Sequence, residues 1–394
     1  MSTIIKSFFI LLILSFSFQP ECYTQTIEEV DGEEQITNLL LEEINISELE
    51  KHWSELRHDY GDYLPEIDRV SVKDLITNSH QLSVFDWIQA LIKLIGHELI
   101  INGQLLGQLI ILAIISAFIK NIQSSFESDS VTTIANFALM LLLTTLAIQN
   151  FSVISQLITT TIGQIHSFII SLLPLLLSLM TTLGGIMSAS FFHPIIVTSL
   201  YFIVILTDKV LLPFIFLSLI LHLISQMNKT FKLTKLADLL RKFSLSLMFI
   251  CMTLFLTILS TQGAVTAIQD GLGVKTAKFV TSNFVPVVGR MFADATDTIF
   301  ATTQVLKNGL GLFGFIFIII IVGLPIIKVA IVGLLYKLAA AILQPIGDEG
   351  VVKSISIIAE HIFYLLAILI VISFMFIMTI VILLIASNLT LMIR

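Results

Sequence analysis

Charge is scarce in this 394-residue chain. Asp, Glu, Lys and Arg together make up 12% of it, against about 25% in an ordinary soluble domain. That scarcity excludes a disordered chain, a nucleic-acid-binding module and a typical cytosolic enzyme. Cysteine is rarer still, with only Cys22 and Cys251. One lies near a processing site and the other in an apolar run, so they form no disulfide framework. Cys251 reads as a small hydrophobe. Reactive motifs are also missing. No Walker sequence occurs, so an ATP-driven role needs a separate ATPase. His97-Glu98 opens an HExxH pattern that fails at Ile101, which removes the zinc-site reading. Gly309-Leu-Gly-Leu-Phe-Gly314 matches GxGxxG without the strand that a βαβ unit supplies. His193 stands alone before Pro194 and reads as a structural histidine. No nucleophile–base pair is visible. The chain is therefore read as non-enzymatic, with no cofactor and no metal.

What is abundant is apolar surface. Hydrophobic residues are 56% of the chain and the mean hydropathy is +0.99. A soluble fold cannot hide that much, so the expected class is an all-α polytopic membrane protein with the lipid bilayer as its surroundings. Apolar runs occur at Leu99–Ile119, Val131–Ile148, Ile165–Leu183, Ile186–Leu206, Val210–Ile224, Phe243–Leu259, Leu312–Leu335 and Ile362–Ile385. They predict eight crossings, or ten if 270–310 also crosses and the run after Leu312 splits at Pro325.

The net charge of −7 averages two unlike regions. Residues 19–98 hold 18 acidic and 5 basic side chains, whereas 99–394 hold 10 acidic and 15 basic. Three parts follow: a signal peptide over 1–22, an acidic extracytoplasmic helical region over 23–98, and a membrane domain over 99–394. The signal rests on Lys6, a short apolar core at Phe8–Phe18, and small residues Ser15 and Ser17 before the cut. An acidic head binds neither nucleic acid nor anionic lipid. Capping-box spacing occurs at Ser47/Glu50, Ser71/Asp74 and Ser83/Asp86. Leu49, Trp53, Leu56 and Tyr60 share one helix face, and Phe85, Ile88, Leu91, Ile92, Ile95 and Leu99 form a second stripe. So small a helical region buries little by itself; it is either a cap on the membrane domain or a docking surface.

Orientation follows from the basic loops. Met227–Lys242 carries five cations against Asp238 and is assigned to the cytoplasm. Counting back five runs puts the head outside, in agreement with the signal. Weak internal repeats begin near 131 and 233, where Val131-Thr-Thr-Ile-Ala-Asn-Phe137 resembles Leu233-Thr-Lys-Leu-Ala-Asp-Leu239, and an incomplete third unit starts at Val352. Transport folds are often built from such repeats around broken helices. The candidate breaks are Pro174, Pro194, Pro286, Pro325 and Pro345, with Pro213 between them and ordinary kinks as the alternative.

Residues 270–310 are the oddest stretch. Lys278, Arg290, Asp294 and Asp297 are its candidate conduit or interfacial charges, with Lys275 and Lys307 nearby. Arg290, Asp294 and Asp297 fall on one helical face. A crossing helix with these charges must face protein or water; one lying flat is interfacial. The repeat favours the first and hydropathy the second. Lys328 and Lys337 read as snorkelling anchors or pathway charges.

Five stretches carry a family resemblance. Ser190-Phe-Phe-His-Pro-Ile-Ile196, Thr276-Ala-Lys-Phe-Val280, Asn283-Phe-Val-Pro-Val-Val-Gly-Arg-Met-Phe-Ala-Asp-Ala-Thr-Asp297, Tyr336-Lys-Leu-Ala-Ala-Ala-Ile-Leu-Gln-Pro345 and Asn388-Leu-Thr390 resemble the stage III sporulation protein AE family of endospore-forming Firmicutes. The likeness covers about residues 100–394. It implies a place in the mother-cell membrane around the engulfed forespore. The implied partners are other stage III A-operon proteins, among them a separate ATPase and ring-forming proteins. Stage II sporulation protein Q would meet that assembly from the forespore side, in a channel complex that supports late forespore development. No catalytic or ligand residues come with it. The alternative from the residues alone is a self-sufficient secondary transporter, which would show solute flux in liposomes without partners.

Overall fold

The computed structural model describes residues 46–61, 71–77, 84–123, 129–227, 232–284, 288–345 and 348–393. The signal peptide, Cys22, Ser83 and Pro286 lie outside the described residues, as does the side chain of Tyr60. The described residues form helices and no strand: α1 Ser47–Tyr60, α2 Val72–Thr77, α3 Val84–Gln123, α4 Asp129–Thr182, α5 Ile186–Leu206, α6 Leu212–Met227, α7 Thr234–Phe284, α8 Val288–Leu343 and α9 Glu349–Ile393. A π-turn at Thr207–Leu211 joins α5 to α6 without a break. Apolar sequence of this length must satisfy its backbone internally, and a helix does so within one segment.

Six of these helical stretches are long and apolar enough to cross a membrane. The protein is thus an all-α, multi-pass membrane protein. The eight apolar runs are carried on six rods, because two pairs of runs share one. Val131–Ile148 and Ile165–Leu183 both lie on α4, whose 54 residues extend about 81 Å at 1.5 Å per residue. Ile186–Leu206 and Val210–Ile224 both lie on the 42-residue stretch Ile186–Met227. Polar residues separate the runs in sequence without stopping the helix.

Proline does not stop it either. α4 runs through Pro174, α5 through Pro194 and α8 through Pro325, so none of the three is a break. Each removes one bond from a long ladder, a loss that packed neighbours tolerate. Pro345 stands in the turn that ends α8. Pro213 follows the π-turn, in which Leu212 N–H reaches back five residues to the Thr207 carbonyl. The extra residue gives the proline ring room against the preceding turn. The described part of 270–310 falls on two long helices. It is the end of α7 and the start of α8, outside the candidate spans Thr234–Ala277 and Phe300–Leu343 in its middle part.

The rods alternate in direction. The α6–α7 connection, which holds the lysine-rich turn, lies at one end of the bundle. Ser354 near the start of α9 meets Met140 near the start of α4 at that same end. At the other end α4 turns into α5 through Leu183–Gly185. Gly184 has φ +88, a left-handed conformation that glycine adopts without penalty. The three proposed repeat starts, near 131, 233 and 352, all lie by the lysine-rich end. Their later prolines do not share settings: Pro213 sits within a continuous rod and Pro345 ends one.

The head packs against the bundle, on the flank of its far half. Leu49, Trp53 and Leu56 of α1 are buried in the main core, as their shared face predicts. Trp53 lies 5.7 Å from Phe313 between ring centroids, and His52 contacts the edges of Phe168 and Phe317. The N-cap position of α1 is Ile46, and Ser47 is the first residue of the helix. α3 departs from its predicted stripe: Ile92, Ile95 and Leu99 are exposed, whereas Leu94, Glu98, Leu109, Leu112 and Ser116 are buried. Amphipathic reasoning assumes that apolar faces pack inward. In a membrane the apolar face meets lipid, and smaller or polar residues pack against protein.

Candidate functional site

Several buried polar contacts join helices distant in sequence. The largest lies by the lysine-rich end, where α6, α7 and α9 meet. Ser218 of α6 is fully buried, and its hydroxyl donates to the Ala237 carbonyl at 2.7 Å. His361 Nε2 of α9 lies 3.1 Å from the same hydroxyl, and His361 Nδ1 donates to the Ile357 carbonyl at 2.8 Å. His222 Nδ1 donates to the Ser218 carbonyl at 3.0 Å, and its Nε2 stands 3.5 Å from Asp238. Arg241 of α7 holds Asp238 at 2.8 Å and Glu360 at 3.4 Å, and lies over the Tyr364 ring at 4.7 Å. The single proton of Ser218 has two acceptors in reach, so α6, α7 and α9 are tied through one shared hydroxyl. Ser218 and His361 have the outline of a nucleophile–base pair. A covalent step requires substrate at the Ser218 oxygen, which helix packing covers. Among the described residues no group of His, Cys, Asp or Glu is placed to hold a metal ion.

The second contact lies at the far end. Asp270 of α7 is buried and accepts Met187 N–H at 2.9 Å and Ser188 N–H at 2.8 Å. These amides are unsatisfied donors at the start of α5. A carboxylate there completes their hydrogen bonding and matches the positive end of the helix dipole. It thereby fastens the α4–α5 turn to α7. The third contact joins Lys307 of α8 to Asn388 of α9, Nζ to Oδ1, at 2.7 Å. Lys307 is 1% exposed, which is rare for a lysine.

Lys278 lies toward the end of α7, and Arg290, Asp294 and Asp297 in the first turns of α8; their side chains lie outside the described residues. The sequence singled out Lys307, and it missed Ser218, His222, His361 and Asp270. Spacing gives no sign of these residues, because their partners on other helices lie 16 to 143 positions away. Gly309, Gly311 and Gly314 have a packing role. A Cβ on Gly309 would strike the Ile76 carbonyl of α2, one on Gly311 would meet Leu384, and one on Gly314 would meet Leu172. The three glycines bring α2, α9 and α4 close against α8.

Three of the five family stretches fall on such contacts. Phe192 is fully buried against Gly263, Tyr336 receives the Asn150 amide at 2.7 Å, and Asn388 receives Lys307. A family model described as Stage III sporulation protein AE matches residues 69–387. The chain is 37% identical over 370 residues to stage III sporulation protein AE of Bacillus subtilis (strain 168), covering 94% of this chain and 93% of that protein. The likeness therefore reaches into the head, beyond the region expected from the motifs. No solved structure matches. A match of this length, together with the six-rod apolar bundle, shows that the chain belongs to the stage III sporulation protein AE family.

Proposed function

We propose that this chain is a non-enzymatic membrane subunit of a channel complex in the mother-cell membrane around the forespore. Its partners are the other stage III A-operon proteins, including a separate ATPase that supplies the energy. Stage II sporulation protein Q is reached through that assembly from the forespore side. Family membership supports the sporulation role. The observation that carries the rest is the separation of the head from the lysine-rich turn. α1 and α2 dock on the far half of the bundle, away from the basic α6–α7 connection. With the basic turn in the cytoplasm, the head faces the intermembrane space, where a forespore-side protein can reach the complex. Merging five runs into three rods leaves the parity of this count unchanged.

A clean in-frame deletion tests the proposal. The expected outcome is arrest after engulfment with normal vegetative growth, restored by the intact gene in the mother cell. Normal spores from the deletion would contradict it.

A further inference from the structure

We infer that a polar groove between α4 and the π-turn faces water inside the membrane-embedded part of the bundle and lines a path for small hydrated solutes. This rests on the channel reading above and gives it a surface within this chain. α4 is polar between its two apolar runs: Gln149, Asn150, Ser152, Ser155, Gln156, Thr159 and Thr160 follow closely. Two contacts fix the depth of that stretch. Asn150 donates to the Tyr336 hydroxyl at 2.7 Å, and Phe168 stacks on Phe317 with centroids 3.8 Å apart. Residues 150–168 of α4 therefore run beside 317–336 of α8, within the candidate span Phe300–Leu343. Eighteen steps of helix are about 27 Å, close to one hydrocarbon thickness.

Charges mark both edges of this band. At the Phe168–Phe317 edge lies α1, with Glu48, Glu50, Lys51 and Glu55 exposed, a face that hydrocarbon does not accommodate. At the Tyr336 edge stand Lys337, over the Phe363 ring, and the Arg241–Glu360 pair. Between the edges, Ser152, Ser155, Gln156 and Thr159 face Asp208 across a cavity of about 420 Å³. It has room for on the order of ten waters. Phe151 and Phe216, with centroids 5.0 Å apart, line it as well. Gln149, Ser152, Gln156 and Thr160 are exposed along one helix face, and Lys209 is 74% exposed beside Asp208 at 2.6 Å. The π-turn has the same depth, since the Leu211 carbonyl accepts the Ser244 hydroxyl near the start of α7's apolar run. At this depth α7 exposes Ile250, Leu254 and Ile258, which suit lipid, and its exposed Thr253 returns its hydroxyl to the Phe249 carbonyl of its own helix. Hydroxyls, amides and an ion pair on the α4 face suit water. Lys209 neutralises Asp208, so the groove does not select solutes by sign.

Thiol labelling of the full chain in native membranes tests this, with Cys22 and Cys251 replaced by alanine. Ser152→Cys and Gln156→Cys are expected to react with cationic and anionic methanethiosulfonates at least about tenfold faster than Ile250→Cys or Leu254→Cys, since reaction needs a hydrated thiolate. Equal slow reaction would overturn the inference, because the groove would then be sealed. Thr160→Cys serves if either variant fails to accumulate. Gln156→Trp, which fills the groove, is expected to lower spore yield at least tenfold at normal protein level. Unchanged yield from an accessible groove would overturn the solute path. A spore-forming deletion strain would overturn the channel role and leave the labelling result standing, so the two failures are distinguishable.

Discussion

Asp270 carries the clearest energetic prediction at the scale of single residues. Removing its carboxylate leaves two amides at the start of α5 without their side-chain acceptor, the Ser188 one buried and the Met187 one part-buried. Asp270→Ala is expected to cost about 1–3 kcal/mol, seen as a lower unfolding temperature of the chain in detergent; an unchanged midpoint would rule out the capping role. Lys307 and Asn388 form a pair that a double-mutant cycle can measure. Lys307→Met alone is expected to harm the fold more than Lys307→Met with Asn388→Leu, because the double change replaces both polar partners with apolar ones. Additive losses would mean that the contact contributes nothing specific. Sequence legibility at this scale was uneven. Lys307 stood out because a lysine in apolar sequence is conspicuous. His222, His361 and Asp270 did not, since a lone histidine or aspartate gains meaning only from a partner that folding brings to it.

Elements were legible where a face packs on protein and misread where it meets lipid. The Leu49–Trp53–Leu56 face of α1 is buried as its spacing predicts, whereas the apolar stripe of α3 at Ile92, Ile95 and Leu99 points outward. Span counting was misled by polar interruptions. Gln149–Gln156 on α4 and Asp208–Lys209 in the π-turn separate apolar runs without ending their rods. The prolines misled in the same way, because one missing bond does not end a helix of 21 to 56 residues. The head–bundle contact tests this level. Trp53→Ala is expected to weaken docking of α1 by about 3–5 kcal/mol, the usual cost of emptying so large a buried site. Limited proteolysis in membranes should then cut the head much faster than in the parent chain. Gly309→Leu should do the same by displacing α2, whose Ile76 carbonyl occupies that space. Unchanged protection in both variants would show that the head is held elsewhere.

The whole molecule combines a family assignment, a two-ended bundle and a polar groove within the apolar band. Sequence reached the family and the all-α membrane class, because composition and short motifs survive without three-dimensional information. It did not reach the groove, whose walls lie about 50 positions apart and meet only when α4 packs beside the π-turn. The account turns on which end of the bundle faces the cytoplasm. Single cysteines at Glu50 and at Lys235, in a chain lacking Cys22 and Cys251, can be probed with a membrane-impermeant maleimide on vegetative protoplasts expressing the protein. The account predicts that position 50 is labelled on intact protoplasts and position 235 only after permeabilisation. Labelling of position 235 from outside, with position 50 protected until lysis, would contradict it.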